Sequence, residues 1–327
     1  MIKKEAVKKI ADQIIKNVNK VDSTGLYNGK AGLSLSLFLA AEYLQDEHID
    51  EAANKLFLES LLIRNSDISF ENGLSGVGYS LLYLLEKEIV DADFDEVFGT
   101  QYETIIRSLE RIEKLPMGLV NSFQTVYFFT KIGGLKKEDE RIQSIIKKFF
   151  EGVELYLTVQ FLDFEDIRYI NSKLLVLNIF KVCLKLVDYA GYNKISRSLL
   201  DIYASMYRKG WIISSLETGF YLRKLAIKNN SSDFDDVIRE NIINGANNIY
   251  TETLSLRERI DLATILSDIQ NEKFQENMLL PEIEQLDNDK VVVDLLLTIN
   301  EKYFPYGYGA GLSRLLIYAV SKQTELL

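Results

Sequence analysis

Thiol and imidazole groups are almost missing from this chain: Cys183 is its one cysteine and His48 its one histidine. A single cysteine excludes an internal disulfide. A catalytic zinc wants three nitrogen, sulfur or carboxylate ligands and an open fourth position. Cys183 lies in the apolar run Val176 to Leu186 and reads as core. His48 follows Asp46 and Glu47 in an expected loop and reads as solvated. A Ser-His-Asp triad could be built only through His48.

Proline is scarce too, with only Pro116, Pro281 and Pro305, and so few breakers favour a helix-rich chain. Basic residues are outnumbered by acidic ones, 38 to 48, for a net charge of −10. That average field repels a phosphate backbone and argues against nucleic acid. The one basic cluster, Lys3-Lys4 with Lys8-Lys9, reads as a solvated helix face. No run approaches the roughly 20 apolar residues that cross a bilayer. The N-terminus is broken by charge too often for a signal peptide, so the expectation is a cytoplasmic protein without a membrane span. There is no phosphate-binding Gly-x-x-x-x-Gly-Lys-Ser/Thr loop. Gly73-x-x-Gly-x-Gly78 follows no strand and is not a dinucleotide fingerprint.

What the chain does contain is a repeat. Glycine-rich entries open apolar runs: Gly25-Leu-Tyr-Asn-Gly-Lys-Ala-Gly32 before Leu33 to Leu44, and Gly73-Leu-Ser-Gly-Val-Gly78 before Tyr79 to Leu85. Pro116-Met-Gly-Leu119 opens Val120 to Ile132, and Pro305-Tyr-Gly-Tyr-Gly-Ala-Gly311 opens Leu312 to Val320. A fifth run follows Glu217-Thr-Gly219. Runs at Tyr169 to Leu186 and Leu262 to Ile269 have lost the glycines. The spacing of about 42 to 52 residues is that of a two-helix unit. Amphipathic segments alternate with these runs, the first carrying Ala6, Val7, Ile10, Ile14, Ile15 and Val18 on one face. Others are Ala52 to Leu62, Tyr102 to Ile112, Ile142 to Val153, Ile195 to Tyr207, Phe234 to Ile249 and Val291 to Ile299.

A helix apolar all round is buried, and one with a polar face borders water. Seven of each predict a single all-α domain over 1–327, an inner ring of helices wrapped by an outer ring. An open solenoid stacks hairpins the same way, but the similarity of the first and last repeats favours closure. Paired glycines at 29 and 32, 73 and 76, and 307 and 311 put bare backbone at the inner-helix starts, which allows close packing.

The phrases Gly25-Leu-Tyr-Asn-Gly-Lys-Ala-Gly-Leu33, Gly73-Leu-Ser-Gly-Val-Gly-Tyr-Ser-Leu-Leu82 and Gly307-Tyr-Gly-Ala-Gly-Leu-Ser-Arg-Leu-Leu316 resemble the inner-helix signatures of lanthionine synthetase C proteins. The resemblance implies an α/α toroid of seven hairpins. It also implies a site in which zinc activates a substrate cysteine for addition to a dehydrated serine or threonine. The family holds zinc with a Trp-Cys-Tyr-Gly-like motif and a later Cys-His-Gly motif. Here the matching stretches are Trp211-Ile-Ile-Ser-Ser-Leu-Glu-Thr-Gly219 and Arg259-Ile-Asp-Leu-Ala-Thr264. Ser214, Arg259 and Ile260 stand where the ligands would be, so no metal and no cofactor is expected.

Converging helix N-termini would give the mouth of such a ring a partial positive potential. Tyr27, Asn28, Glu71, Asn72, Asn121, Glu217, Tyr306 and Tyr308 are the residues expected there. Glu71 and Glu217 are the candidates for paired-carboxylate catalysis, though acids in a first helical turn also simply complement its dipole. Arg259 and Asp261 read as a local ion pair. The expected function is that of a zinc-free relative of the cyclases, a peptide-binding or scaffold component of lanthipeptide-type biosynthesis. Its expected partner is a peptide substrate or a modification enzyme. The alternatives are a metal-independent enzyme using carboxylates, and a plain interaction scaffold.

Overall fold

The computed structural model describes residues 3–62, 67–111, 120–159, 193–210, 212–269, 279–286, 288–299 and 302–321. The described residues form an all-helical chain, with thirteen α-helices, three short 3-10 turns and no strand among them. The expected fourth apolar run, Cys183, Trp211 and the Pro116–Leu119 entry lie outside them.

Two compact units divide the chain. One joins the two ends of the sequence, 1–105 with 250–327, and the other is the stretch between, 106–249. In the first unit α1 (Lys4–Asn17), α3 (Glu47–Leu61) and α12 (Asp289–Leu297) are the half-polar helices, alternating with α2 (Lys30–Leu44), α4 (Leu74–Glu86), α11 (Leu256–Asp268) and α13 (Leu312–Ser321). The helix α5 (Phe94–Glu110) begins in this unit. Burial separates the two kinds cleanly. Every residue from Ala31 to Ala41 in α2 and from Leu74 to Leu84 in α4 is buried. In α3 only Ile49, Ala53, Leu56, Phe57 and Ser60 are, a stripe at helical spacing. The apolar helices pack side by side in the order α11, α13, α2, α4, so the last helix of the chain lies against the second. The closest hairpin is α2 with α3. It turns through Gln45 in the left-handed region at φ 57° and is capped by Asp46, whose carboxylate accepts from the Ile49 amide at 3.1 Å. His48 sits in the first turn of α3 rather than in a loop, and is exposed as expected.

The second unit holds α6 (Val120–Leu135), α7 (Glu140–Val159), α8 (Asn193–Arg208), α9 (Leu216–Lys228) and α10 (Asp235–Asn247). Its best-defined part is α9 on α10, which approach through glycines: a Cβ on Gly245 would lie 2.2 Å from the Leu216 amide. A buried Asn241 ties the two together. Its Oδ1 accepts from the Ser215 amide (3.2 Å) and the Tyr203 hydroxyl (3.0 Å), and its Nδ2 donates to the Val237 carbonyl (2.9 Å).

Candidate functional site

The loops that enter α2, α4 and α13 share one bonding register. The first helical amide reaches back seven residues in each: Lys30 to Ser23 (3.0 Å), Leu74 to Asp67 (2.8 Å) and Leu312 to Pro305 (2.9 Å). The loops are also stitched sideways, with the Gly309 amide donating to the Tyr27 carbonyl (2.8 Å) and the Tyr27 amide to the Glu71 carbonyl (2.7 Å). The Phe304 amide adds a bond to Asn28, donating to its Oδ1 at 3.0 Å. Tyr27, Asn28, Glu71, Asn72, Tyr306 and Tyr308, all expected at one mouth, thus lie on three adjoining loops of one unit. Tyr27 and Tyr308 are buried, while Asn28, Glu71, Asn72 and Tyr306 are half-buried. Glu217 lies in the first turn of α9 and Asn121 in that of α6, both in the other unit.

The register corrects one sequence alignment. Gly311 matches Gly29 and Gly73, so the position of Gly32 and Gly76 is taken in the last repeat by Arg314. A Cβ on Gly32 would lie 1.9 Å from the Leu26 carbonyl oxygen, and one on Gly76 would lie 1.9 Å from that of Phe70. Backbone contact forces glycine at these two positions; the third instead carries a long cation.

Arg314 is completely buried. It donates through Nε to Asp261 Oδ1 at 2.9 Å and through a second nitrogen to the same oxygen. Asp261 sits in the second turn of α11, and its other oxygen, Oδ2, is 3.9 Å from Arg257 Nε. The aromatic rings of the loops cover these charges. Arg257 lies over the Tyr27 ring (5.3 Å), Arg314 over that of Tyr308 (5.7 Å), and the two rings pack at 5.7 Å. Burial works to discharge Arg257, but the Tyr27, Asp261 and Tyr303 oxygens outweigh it and hold the guanidinium charged. Burial pushes the Tyr308 phenol above its ordinary range, so it remains neutral. Burial likewise raises the half-buried Tyr306.

The expected Arg259–Asp261 pair is not formed. Arg259 instead meets Glu282 through one nitrogen, at 2.9 and 3.1 Å from its two oxygens. At helical spacing the side chains two apart point away from each other, and each finds a partner on a different element. The cluster of Arg257, Asp261 and Arg314 was missed in the sequence. The signal available was a charged residue, Arg314, inside an otherwise apolar inner helix.

These positions do not suit zinc. Where the resemblance sets a Cys-His pair stand a cation engaged with Glu282 and the hydrocarbon of Ile260, which is fully buried. Two further guanidinium groups, Arg257 on the same helix and Arg314 on α13, lie close by, and their charge opposes that of a dication. Ser214, in the other unit, shares a hydrogen bond with the Tyr207 hydroxyl at 2.8 Å. Among the described residues no group of three histidine, cysteine, aspartate or glutamate side chains could hold a metal.

An all-helical unit of paired helices, with glycine-started inner members, defines a helical-hairpin protein with a cluster of charges beneath its entry loops. Residues 2–116 match the model of the lanthionine synthetase C-like protein family. No curated protein and no solved structure matches the chain. Among the described residues no helix is long and apolar enough to cross a membrane.

Proposed function

We propose that the chain is a zinc-free lanthionine synthetase C-like protein that binds a peptide in the biosynthesis of ribosomally made, modified peptides, without closing the thioether itself. The observation that carries this reading is the pairing of a family-like entry-loop framework with Arg259 and Ile260 at the expected ligand positions. The framework supports peptide binding because its three stitched loops present half-buried amide, carboxylate and phenol groups on a rigid base. Such pre-organised polar groups bind a chain with little ordering cost. The ligand positions argue against cyclisation, since neither a guanidinium nor an alkyl group can hold the metal that makes a thiolate.

The test uses the full chain and a fluorescein-labelled lanthipeptide precursor, in dehydrated and undehydrated forms. Anisotropy should rise saturably, and the count of free peptide thiols should stay constant after one equivalent of zinc is added. Zinc-dependent loss of thiols would overturn the zinc-free reading. Absence of binding by either form would overturn the peptide-binding one.

A further inference from the structure

Among the described residues the charges beneath the entry loops do not balance. Arg257 and Arg314 bring two positive charges and Asp261 brings one negative. Asp261 is the one carboxylate within 4 Å of Arg257 among the described residues. The sharing is unequal. Oδ1 of Asp261 accepts from two of the three Arg314 guanidinium nitrogens, while Arg257 stands 3.9 Å from Oδ2, beyond hydrogen-bonding reach. Exposure is graded in the same direction: the Arg314 side chain is 1% exposed, Asp261 10% and Arg257 24%. The inner cation is therefore bound tightly to the carboxylate, while the outer one, which meets the Tyr27 hydroxyl, stands farther from the carboxylate on the side that solvent reaches. The Tyr308 phenol does not supply the missing charge, because burial keeps it protonated. Charges in such surroundings are ordinarily paired.

We infer that Arg257, backed by Asp261 and flanked by Tyr27 and Tyr303, is a binding site for the carboxylate of a peptide ligand. This rests on the peptide-binding reading and names the group recognised. The guanidinium offers a planar fork to a carboxylate, and the Tyr27 ring beneath it holds it in place. A carboxylate arriving here brings the buried cluster to neutrality.

The probe is a fluorescein-labelled pentapeptide of alternating glycine and alanine, with a free C-terminal carboxylate or a C-terminal amide. Binding of the carboxylate form should exceed that of the amide by about tenfold, the worth of one charged hydrogen bond. Arg257→Gln should erase the difference and Arg257→Lys should keep part of it. The thermal midpoint of Arg257→Gln should equal or exceed that of the parent, because the change leaves a balanced Arg314–Asp261 pair. Equal binding of the two peptide forms would overturn the inference, as would a lowered midpoint, which would mark Arg257 as a structural ion-pair member. Displacement by inorganic phosphate but not by acetate would also overturn it, by assigning the site to a phosphate group. The two proposals fail separately. A precursor that binds parent and Arg257→Gln alike sinks only the carboxylate site. A pentapeptide that binds through Arg257 while the precursor does not sinks only the lanthipeptide role.

Discussion

Asp261→Asn is the sharpest perturbation of the charge cluster. The substitution keeps shape and one acceptor oxygen but leaves two guanidinium charges with no counter-charge. Breaking a buried ion pair by removing one partner costs about 3–5 kcal/mol. The geometry here places Asp261→Asn inside that range, since Arg314 is 1% exposed and two of its guanidinium nitrogens converge on one oxygen. The charge count then predicts a rescue. Arg257→Gln alone should be neutral or mildly stabilising, yet combined with Asp261→Asn it should recover about 1–2 kcal/mol by removing one of two uncompensated cations. Urea unfolding followed by far-ultraviolet circular dichroism measures all four members of the cycle. Additivity of the two substitutions to within about 0.5 kcal/mol would refute the reasoning, because it would mean that Arg257 and Arg314 do not share the carboxylate.

Gly32→Ala should destabilise by at least about 2 kcal/mol, since its Cβ would enter the Leu26 carbonyl; Gly134→Ala, which meets nothing within 4 Å, should stabilise by about 0.5 kcal/mol, both read by thermal melting. Asn241→Ala should cost about 3 kcal/mol by stranding the Ser215 amide and Tyr203 hydroxyl, and amide exchange at Ser215 should accelerate. Asp46 accepts from Lys8 at 2.8 Å, and this bond holds its carboxyl below its ordinary value of 3.8 while raising Lys8 above 10.5. The link should therefore be lost as pH falls through the folded Asp46 value, below 3.8, and again as pH rises through the folded Lys8 value, above 10.5. A carboxyl carbon titration of Asp46 by NMR checks the first limb, and a midpoint at or above 3.8 would contradict it.

Much of the helical order was legible because burial follows period. The runs at Leu33 to Leu44 and Leu312 to Val320 are buried over most of their length, unlike the one-sided Ala6–Val18 stripe, and that difference alone separates apolar from half-polar helices. Helix starts were less legible. The apolar run noted from Tyr79 begins at Leu74, because Gly76 and Gly78 lie buried inside the helix, Gly76 packed on the Phe70 carbonyl, rather than in a turn before it. The pairing of charges was not legible at all. Arg259 and Asp261 are neighbours in sequence but reach opposite ways, to Glu282 and to Arg314. Only the fold brings residues 257, 261 and 314 together with residue 27.

The exchange of glycine for Arg314 explains why the last repeat is chemically unlike the first two. At Gly32 and Gly76 the loop carbonyl of Leu26 or Phe70 lies directly over the helix, so no side chain can leave the backbone there. In the last repeat the loop runs through Pro305, Gly307, Gly309 and Gly311, and the equivalent helical position carries a full arginine. Once a cation enters that dry position it requires an anion on the neighbouring inner helix, and Asp261 meets it. Arg257, one turn earlier on the same face of α11 as Asp261, is then drawn to a carboxylate already committed elsewhere. A buried pair plus one outer cation thus goes with an arginine at the position that glycine holds in the first two repeats.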